Sequence, residues 1–347
     1  MSKYKIVETP RRKIISGPDF HHTFNYESGK AATWGHLPED DPQVPPVGPL
    51  LLDVEISTVC NRNCNFCYKS NGPVGENMGA EKFKTLLDKF IHPNGTSIGQ
   101  IAFGIGSLDG NPDLLKILWH AREQRIIPNI TLNGDDLTQR WARNLAEVLG
   151  AAAVSNYDRN TCYNSVALLL DHGLKQVNIH QLLCEETLGH CWQVLRDIKT
   201  DPRLVGLGAV VFLLLKPKGE RNSWHPLRNS AKYKELIDFA LDNNLPVGFD
   251  SCGANAFTKA IENRREAERL MTLVEPCESG LFSLYVDKDG TALPCSFCGD
   301  LEDVPSWNLL EVNNFMDDCW NSYEMKGWRE RLLANGRACP IYPLGME

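Results

Sequence analysis

The stretch "PLLLDVEISTVCNRNCNFC" at residues 49–67 decides the fold class that this sequence predicts. Its first half is mostly apolar, as expected for a buried strand, and its second half carries Cys60, Cys64 and Cys67. Three and then two residues separate these cysteines, so one loop can present all three thiols to one metal cluster. Three thiolates on a [4Fe-4S] cluster leave the fourth iron open to a small molecule.

Zinc is the alternative for these cysteines. A structural zinc site takes four ligands, usually from two close pairs of Cys or His. No Cys or His occurs in the twenty residues that follow Cys67. The spacing therefore favours an iron-sulfur cluster over zinc.

Length and composition limit the classes of protein that fit. A chain of 347 residues can form one large domain with a small appendage. The start "MSKYKIVETP" lacks an apolar signal region and no run of eighteen apolar residues occurs, so we expect a soluble intracellular protein with no membrane partner. In a reducing compartment, twelve cysteines indicate metal binding more than disulfides.

The CxxxCxxC loop, with Phe66 just before its third cysteine, resembles the radical S-adenosylmethionine (radical SAM) superfamily. The resemblance implies a [4Fe-4S] cluster held by Cys60, Cys64 and Cys67, with S-adenosyl-L-methionine (SAM) on the open iron. It also implies an electron donor such as flavodoxin or ferredoxin. One electron would cleave SAM to methionine and a 5'-deoxyadenosyl radical, which abstracts hydrogen from an unreactive carbon.

Short β-branched segments alternate with helical stretches from about residue 48 to 255, which predicts successive βα units on a parallel sheet. Together with the resemblance, this gives an α/β fold: a partial (β/α)6-type TIM barrel with a small C-terminal cysteine-rich, twitch-like domain. The predicted divisions are a proline-rich N-terminal extension at 1–47, the radical SAM core at 48–255 and the C-terminal domain at 256–347. The predicted strands are Leu51 to Ile56, Gln100 to Ile105, Asn129 to Leu132, Ala152 to Ser155, Gln176 to His180, Gly208 to Leu214 and Val247 to Asp250.

The segment "IAFGIGSLDGNPDL" at residues 101–114 resembles the glycine-rich segment with which the family binds the methionine part of SAM. The resemblance implies that Gly104, Gly106, Ser107 or Asp109 contacts the methionine amine, although Ser107 stands where the family has glutamate. Asn133 and Ser155 follow later strands and would hold the ribose. The alternative is that these residues form turns and helix caps. Asn178 and His180 share one face of the fifth strand, and "LKPKGE" after the sixth resembles a turn beside the adenine.

A second group of cysteines begins at Cys277, before a β-hairpin predicted to turn at residues 287–290. Twelve residues separate Cys277 from Gly290, and four separate Gly290 from Cys295. This spacing resembles the SPASM and twitch extensions of radical SAM enzymes, which implies an auxiliary [4Fe-4S] cluster. Its predicted ligands are Cys277, Cys295 and Cys339, with Cys298 ahead of Cys319 as the fourth, and zinc is the alternative. The other cysteines show no ligand spacing and are predicted to be buried apolar residues: Cys162, Cys184, Cys191 and Cys252.

Nearly the whole chain resembles radical SAM proteins of tailed bacteriophages, which would place it in the cytoplasm of a bacterial host. The resemblance implies an isomerase that converts an N-linked glycyl-thymidine adduct in modified DNA into a C-linked one. A peptide-modifying enzyme is the alternative, and a non-catalytic cluster protein is a third. A net charge of -8 opposes DNA binding, so local basic groups would be needed. The candidates are Lys3, Lys5, Arg11, Arg12, Lys13, Lys216, Lys218, Arg221, Lys326, Arg329, Arg331 and Arg337.

Overall fold

The computed structural model describes residues 3–92, 94–299 and 301–342. The strands in these ranges are β1 Lys5–Glu8, β2 Arg12–Ser16, β3 His21–Asn25, β4 Ala31–Trp34, β5 Leu51–Glu55, β6 Gln100–Gly104, β7 Ile127–Leu132, β8 Ala151–Ser155, β9 Val177–Leu183, β10 Val210–Leu214, β11 Val247–Phe249, β12 Ser283–Val286, β13 Thr291–Leu293 and β14 Trp307–Asn308. The α-helices are α1 Ala80–Asp88, α2 Leu114–Glu123, α3 Gln139–Val148, α4 Arg159–Asp171, α5 Leu188–Asp197, α6 Ser230–Asp242, α7 Ala254–Ile261, α8 Ala267–Met271 and α9 Tyr323–Ala334.

The main sheet is the partial barrel that the sequence predicts. Strands β5 to β11 are parallel neighbours in chain order, and each of β5 to β10 is followed by one of the helices α1 to α6. This arrangement confirms the α/β class and the six βα units. In parallel βα folds the carboxyl ends of the strands share one edge, where binding residues collect.

Buried apolar residues alternate with polar residues along the strands, so the two faces of this sheet differ. On β5, Leu52 and Val54 are buried in the main hydrophobic core, while Asp53 and Glu55 lie on the opposite face. On β9, Val177, Ile179 and Leu183 are buried in the same core. Because the helices cover the apolar face, the polar residues of the strands face the inside of the barrel.

The N-terminal extension contains a four-stranded antiparallel sheet, β1 to β4, that the sequence reading did not predict. Its strands have four or five residues each and are separated by turn-forming residues, so their alternation is too short to stand out. Lys13 on β2 is fully buried and its Nζ donates hydrogen bonds to the carbonyl oxygens of Thr96 and Ile98. These contacts join the extension to the chain that leads into β6, at the end of the barrel opposite the cysteine loop.

The predicted hairpin is present and extends the barrel sheet. Strand β12 pairs with β5 in parallel, with Tyr285 opposite Asp53, and β13 and β14 follow as antiparallel strands. The segment predicted as a separate domain therefore begins as a continuation of the main sheet. Beyond it, a π-helical turn at Met316–Trp320 and α9 pack together through the Arg329 guanidinium, which lies 4.2 Å from the centre of the Trp320 ring. No helix in the described ranges has the length and apolarity needed to cross a bilayer.

Candidate functional site

The cysteine loop leaves the carboxyl end of β5 and is closed by backbone pairing. Bridges join Ser57 to Asn77 and Val59 to Gly72, and the Cys60 amide donates to the Gly72 carbonyl at 2.7 Å. The thiols of Cys60, Cys64 and Cys67 are all partly exposed. Burial raises the pKa of the Cys64 thiol to about 11, and the nearby Arg62 cation opposes that rise. One loop thus presents the three thiols at the open end of the barrel.

The glycine-rich segment after β6 lies directly against this loop. The Ser107 amide donates to the Val59 carbonyl at 3.1 Å, and the Ser107 hydroxyl accepts from the Asn61 amide at 3.1 Å. Asn133 adds a hydrogen bond from its Nδ2 to the Gly106 carbonyl at 2.7 Å. Gly106, Ser107 and Asn133 therefore meet at the cysteine loop, where the sequence reading expected the cofactor. The Ser107 hydroxyl accepts its hydrogen bond from the cysteine loop itself, through the Asn61 amide.

Three of the predicted SAM-contacting residues lie elsewhere around this edge. Gly104 is on β6, next to the backbone of Glu55 on β5. The Asp109 carboxylate accepts a hydrogen bond from the Trp141 indole at 2.9 Å and so faces α3. Ser155 ends β8, and its carbonyl accepts a hydrogen bond from the Tyr157 amide at 3.0 Å. Asp109 is the least suited of these to bind an amine at the cysteine loop.

Phe66 is part of an aromatic group that the sequence reading missed. Its ring centre is 4.2 Å from that of Trp224 and 5.1 Å from that of Tyr157. Arg62 lies 5.2 Å from the centre of the Tyr157 ring and pairs with Asp135. Tyr157 could have been found from its place two residues after β8, whereas Trp224 lies in a long loop without a recognisable pattern.

The turn after β10 holds the cysteine loop from the other side. Gly219 has φ of +104°, and a Cβ there would lie 3.0 Å from the carbonyl carbon of Cys67 and closer to its oxygen. The Glu220 amide donates to the Ser70 hydroxyl, and the Arg221 guanidinium donates to the Asn71 carbonyl at 2.6 Å. This is the turn that the sequence reading placed beside the adenine. In the structure its backbone packs on the cysteine loop.

The inside of the barrel next to β5 is polar. Lys69 pairs with Glu55 at 3.3 Å and donates to the Tyr285 hydroxyl at 2.5 Å. Burial raises the pKa of Asp53 to about 6, although Lys69 opposes the rise. His180 also lies in this interior, where burial lowers its pKa to about 4. The cysteine loop therefore opens onto a chamber with charged and polar walls.

The second group of cysteines surrounds a small cavity. Cys277, Cys295 and Cys339 line it, as does Cys252, for which the sequence predicts a place in the core. Cys298, the expected fourth ligand, is fully buried and does not line the cavity. As they stand, the described side chains include no group of three or more Cys, His, Asp or Glu residues placed to hold a metal ion. The donor set is nonetheless the thiol-rich one that iron-sulfur clusters take.

Cys319 lies apart from that cavity. It is fully buried in the π-helical turn, near Arg329, and belongs to the main core. Neither Cys319 nor Cys298 is therefore among the residues that line the cavity. The core cysteines Cys162, Cys184 and Cys191 are buried, as predicted.

Three of the basic residues considered for binding a polyanion are not at the surface. Lys13 is fully buried, and Lys216 and Arg329 are each 6 % exposed. Burial lowers the pKa of Lys13 to about 8 and that of Arg329 to about 10. They cannot contact a DNA backbone, so the candidates lose one member near the start of the chain, one in the middle and one near the end.

The fold and the loop define a partial βα barrel with a three-cysteine site at its open end. Residues 54–158 match the model of the Radical SAM superfamily. This part of the chain, which carries Cys60, Cys64 and Cys67, is therefore similar to a radical SAM domain, a class of domain whose cofactors are a [4Fe-4S] cluster and SAM.

Solved structures share this fold. Streptococcus suis SuiB bound to S-adenosylmethionine matches with a TM-score of 0.64 at 15% identity, over 86% of this chain and 76% of that chain. SuiB bound to precursor peptide SuiA matches with a TM-score of 0.63 at 15% identity, over 81% and 66%. Native anSMEcpe with bound AdoMet and Cp18Cys peptide matches with a TM-score of 0.59 at 17% identity, over 81% and 82%. At these identities the likeness concerns the fold, and no curated protein sequence gives a significant match.

Proposed function

We propose that Cys60, Cys64 and Cys67 hold the radical SAM cluster and that the barrel chamber beside them binds the substrate. The observation that supports this most is the position of all three thiols on one loop at the open end of the barrel. When bound, the cluster and SAM supply a 5'-deoxyadenosyl radical that abstracts hydrogen from an unreactive carbon.

The residues around the loop have positioning roles in this proposal. Gly106 and Ser107 fix the loop from one side and Gly219 from the other, so the thiols stay in one place. Phe66, Tyr157 and Trp224 form an aromatic wall that excludes water from the reacting carbon. Gly104, Asn133 and Ser155 lie on the edge where SAM would be held.

The C-terminal cavity is proposed to hold an auxiliary [4Fe-4S] cluster. Three of the sequence-predicted ligands, Cys277, Cys295 and Cys339, line it together. Such a cluster would bind substrate or carry an electron to or from the product, with a flavodoxin or ferredoxin as the external donor.

Peptide modification is the substrate class that more observations favour. Two of the structures with the same fold hold peptides, SuiA in SuiB and Cp18Cys in anSMEcpe. The chamber beside β5 contains the ion pair of Glu55 with Lys69, and polar walls of this kind suit the amide groups of a peptide.

The isomerase on glycyl-thymidine DNA stays as the second candidate, supported by the resemblance to bacteriophage proteins. A glycyl Cα-H is a feasible site of abstraction, and the rearrangement needs no net oxidant. Burial of Lys13, Lys216 and Arg329 weakens the case for DNA steering, while exposed Lys3, Lys5, Arg11 and Arg12 remain at the N-terminal sheet.

The test is anaerobic reconstitution with iron and sulfide analysis and an assay for 5'-deoxyadenosine. Wild type should bind about eight irons, and Cys60→Ala/Cys64→Ala/Cys67→Ala about four, with loss of SAM cleavage. Cys162→Ala/Cys184→Ala/Cys191→Ala is the matched control, because it also removes three thiols but none from either site. SAM cleavage by the loop variant would overturn the proposal.

Substrate class is tested by deuterium transfer. A glycyl-thymidine oligonucleotide deuterated at the glycyl Cα and a deuterated peptide library are incubated separately with reconstituted enzyme. Deuterium in 5'-deoxyadenosine from the peptide alone favours peptide modification. Deuterium from the oligonucleotide, with a C-linked product, favours the isomerase.

A further inference from the structure

Cys252 is the unexpected member of the cavity defined by Cys252, Cys277, Cys295 and Cys339, here called the four-cysteine cavity. It lies in the short 3-10 turn Ser251–Gly253 that follows β11, in the barrel core. The Asp250 carboxylate caps this turn by accepting a hydrogen bond from the Gly253 amide at 3.0 Å. The turn is therefore fixed, with Cys252 facing the cavity.

We propose that Cys252, together with Cys277, Cys295 and Cys339, supplies the four thiolates of the auxiliary cluster, and that Cys298 supports Cys295 without binding iron. This inference rests on the auxiliary cluster proposed above. It names a ligand that sequence spacing alone does not suggest, because Cys252 lies twenty-five positions before Cys277.

The surroundings of Cys298 suit a supporting role. Its side chain is fully buried in the main hydrophobic core and is not among the residues that line the cavity. Its amide donates to the Cys295 carbonyl at 3.1 Å, and the Phe297 amide donates to the Cys295 Sγ at 3.5 Å. Hydrogen bonds to a ligating sulfur tune an iron-sulfur cluster, so the Cys295–Cys298 turn is placed to orient the Cys295 sulfur and to donate to it from the Phe297 amide.

Other groups on the cavity wall suit the negative charge of a four-thiolate cluster. Lys216 lines the cavity, is 6 % exposed, and is held there by its ion pair with Asp250. Ser279 also lines it and is 6 % exposed, and its hydroxyl has no hydrogen-bond partner within the described residues. A buried hydroxyl without a partner costs free energy, which a cluster sulfide accepting its hydrogen bond would recover.

Ligation by Cys252 has a structural consequence. One ligand would come from the turn that follows β11, the last parallel strand of the barrel, and three from the C-terminal segment. The cluster would then link the two parts of the chain covalently through iron, next to the open end of the barrel.

The experiment uses the full chain with Cys60→Ala/Cys64→Ala/Cys67→Ala as background, so that only the second site binds iron. In this background about four irons are expected. Adding Cys252→Ala should lower the count to about three or fewer, with the EPR signal of a three-iron cluster after oxidation. Adding Cys298→Ala or the control Cys319→Ala should leave about four irons.

Cys252→Ser is the second variant, in case Cys252→Ala does not fold. With circular dichroism unchanged, it should keep iron but show a shifted EPR spectrum of the reduced cluster, because oxygen replaces one sulfur. About four irons and an unchanged spectrum in both Cys252 variants would overturn the inference alone, as would loss of iron in the Cys298 variant. Absence of iron in the background protein itself would overturn the proposal of an auxiliary cluster. SAM cleavage by wild type is a separate measurement, which tests the proposed role of the cysteine loop.

Discussion

Gly106 lies against Cys60 so closely that no side chain fits between them. A Cβ on Gly106 would overlap the Cβ of Cys60 and lie 2.5 Å from the carbonyl oxygen of Val59. The segment that follows β6 thus carries a glycine at position 106 because the cysteine loop packs against it there. This contact ties the glycine-rich segment to the cluster ligands, whichever residues contact SAM.

Gly106→Ala is expected to displace the cysteine loop. Forcing a methyl group into this contact should lower the free energy of unfolding by about 1–3 kcal/mol and reduce bound iron from about eight to about four per chain. Iron analysis after reconstitution and urea unfolding check this. Gly104→Ala is the control from the same segment, since the nearest atom to its Cβ would be an ordinary 3.7 Å away. Full iron content in Gly106→Ala would contradict the prediction.

Gly219→Ala tests the other side of the loop. Gly219 and Gly173 both have positive φ, +104° and +91°, but a Cβ on Gly173 would meet nothing within 4 Å. Both substitutions should lower the free energy of unfolding by about 1 kcal/mol, because alanine is strained at a positive φ. Only Gly219→Ala should also reduce iron at the cysteine loop, because it clashes with the Cys67 carbonyl. Equal iron contents in the two variants would show that the contact of Gly219 with the Cys67 carbonyl does not affect iron binding.

Asp250→Asn should destabilise the protein strongly. Burial by itself lowers the pKa of Lys216, but Asp250 and Cys252 outweigh it and the net pKa is raised, so Lys216 stays charged. Removing the carboxylate leaves a buried cation without its partner. This should lower the free energy of unfolding by about 3–5 kcal/mol. The control Glu81→Gln breaks an exposed pair with Lys84 and should cost less than about 0.5 kcal/mol. Urea unfolding of both variants measures the difference, and similar values would refute the role of Asp250.

His22 should make the protein less stable in acid. It is 3 % exposed, and burial, with Lys13 nearby, lowers its pKa to about 4. In the unfolded chain the value is about 6.5, so the unfolded state binds more protons between these pH values. The contribution of His22 to the free energy of unfolding is therefore fully present above pH 6.5. It falls by about 3 kcal/mol as the pH is lowered to 4.

The variant His22→Gln isolates that contribution. The difference in unfolding free energy between wild type and His22→Gln should change by about 3 kcal/mol from pH 7 to pH 4. His36→Gln, at an exposed histidine close to the same sheet, should show no comparable change. A pH-independent difference for His22→Gln would contradict the assignment.

Most of the barrel was predictable because its signals are local. The segments predicted at Leu51 to Ile56 and Gln100 to Ile105 each end one residue before the predicted end in the structure. The hairpin at residues 287–290 was predictable from its turn residues. The N-terminal sheet was missed because strands of four or five residues carry too little alternation.

The sequence by itself determined the class of protein, since the CxxxCxxC spacing and the alternation of strands and helices are properties of nearby residues. Only the tertiary structure decided which distant side chains meet. In the folded chain Lys13 is buried and Trp224 contacts Phe66. Cys252 and Cys277 line the same cavity. Those contacts depend on how the sheet curves and how its loops fold over one edge, and no spacing along the chain records that geometry.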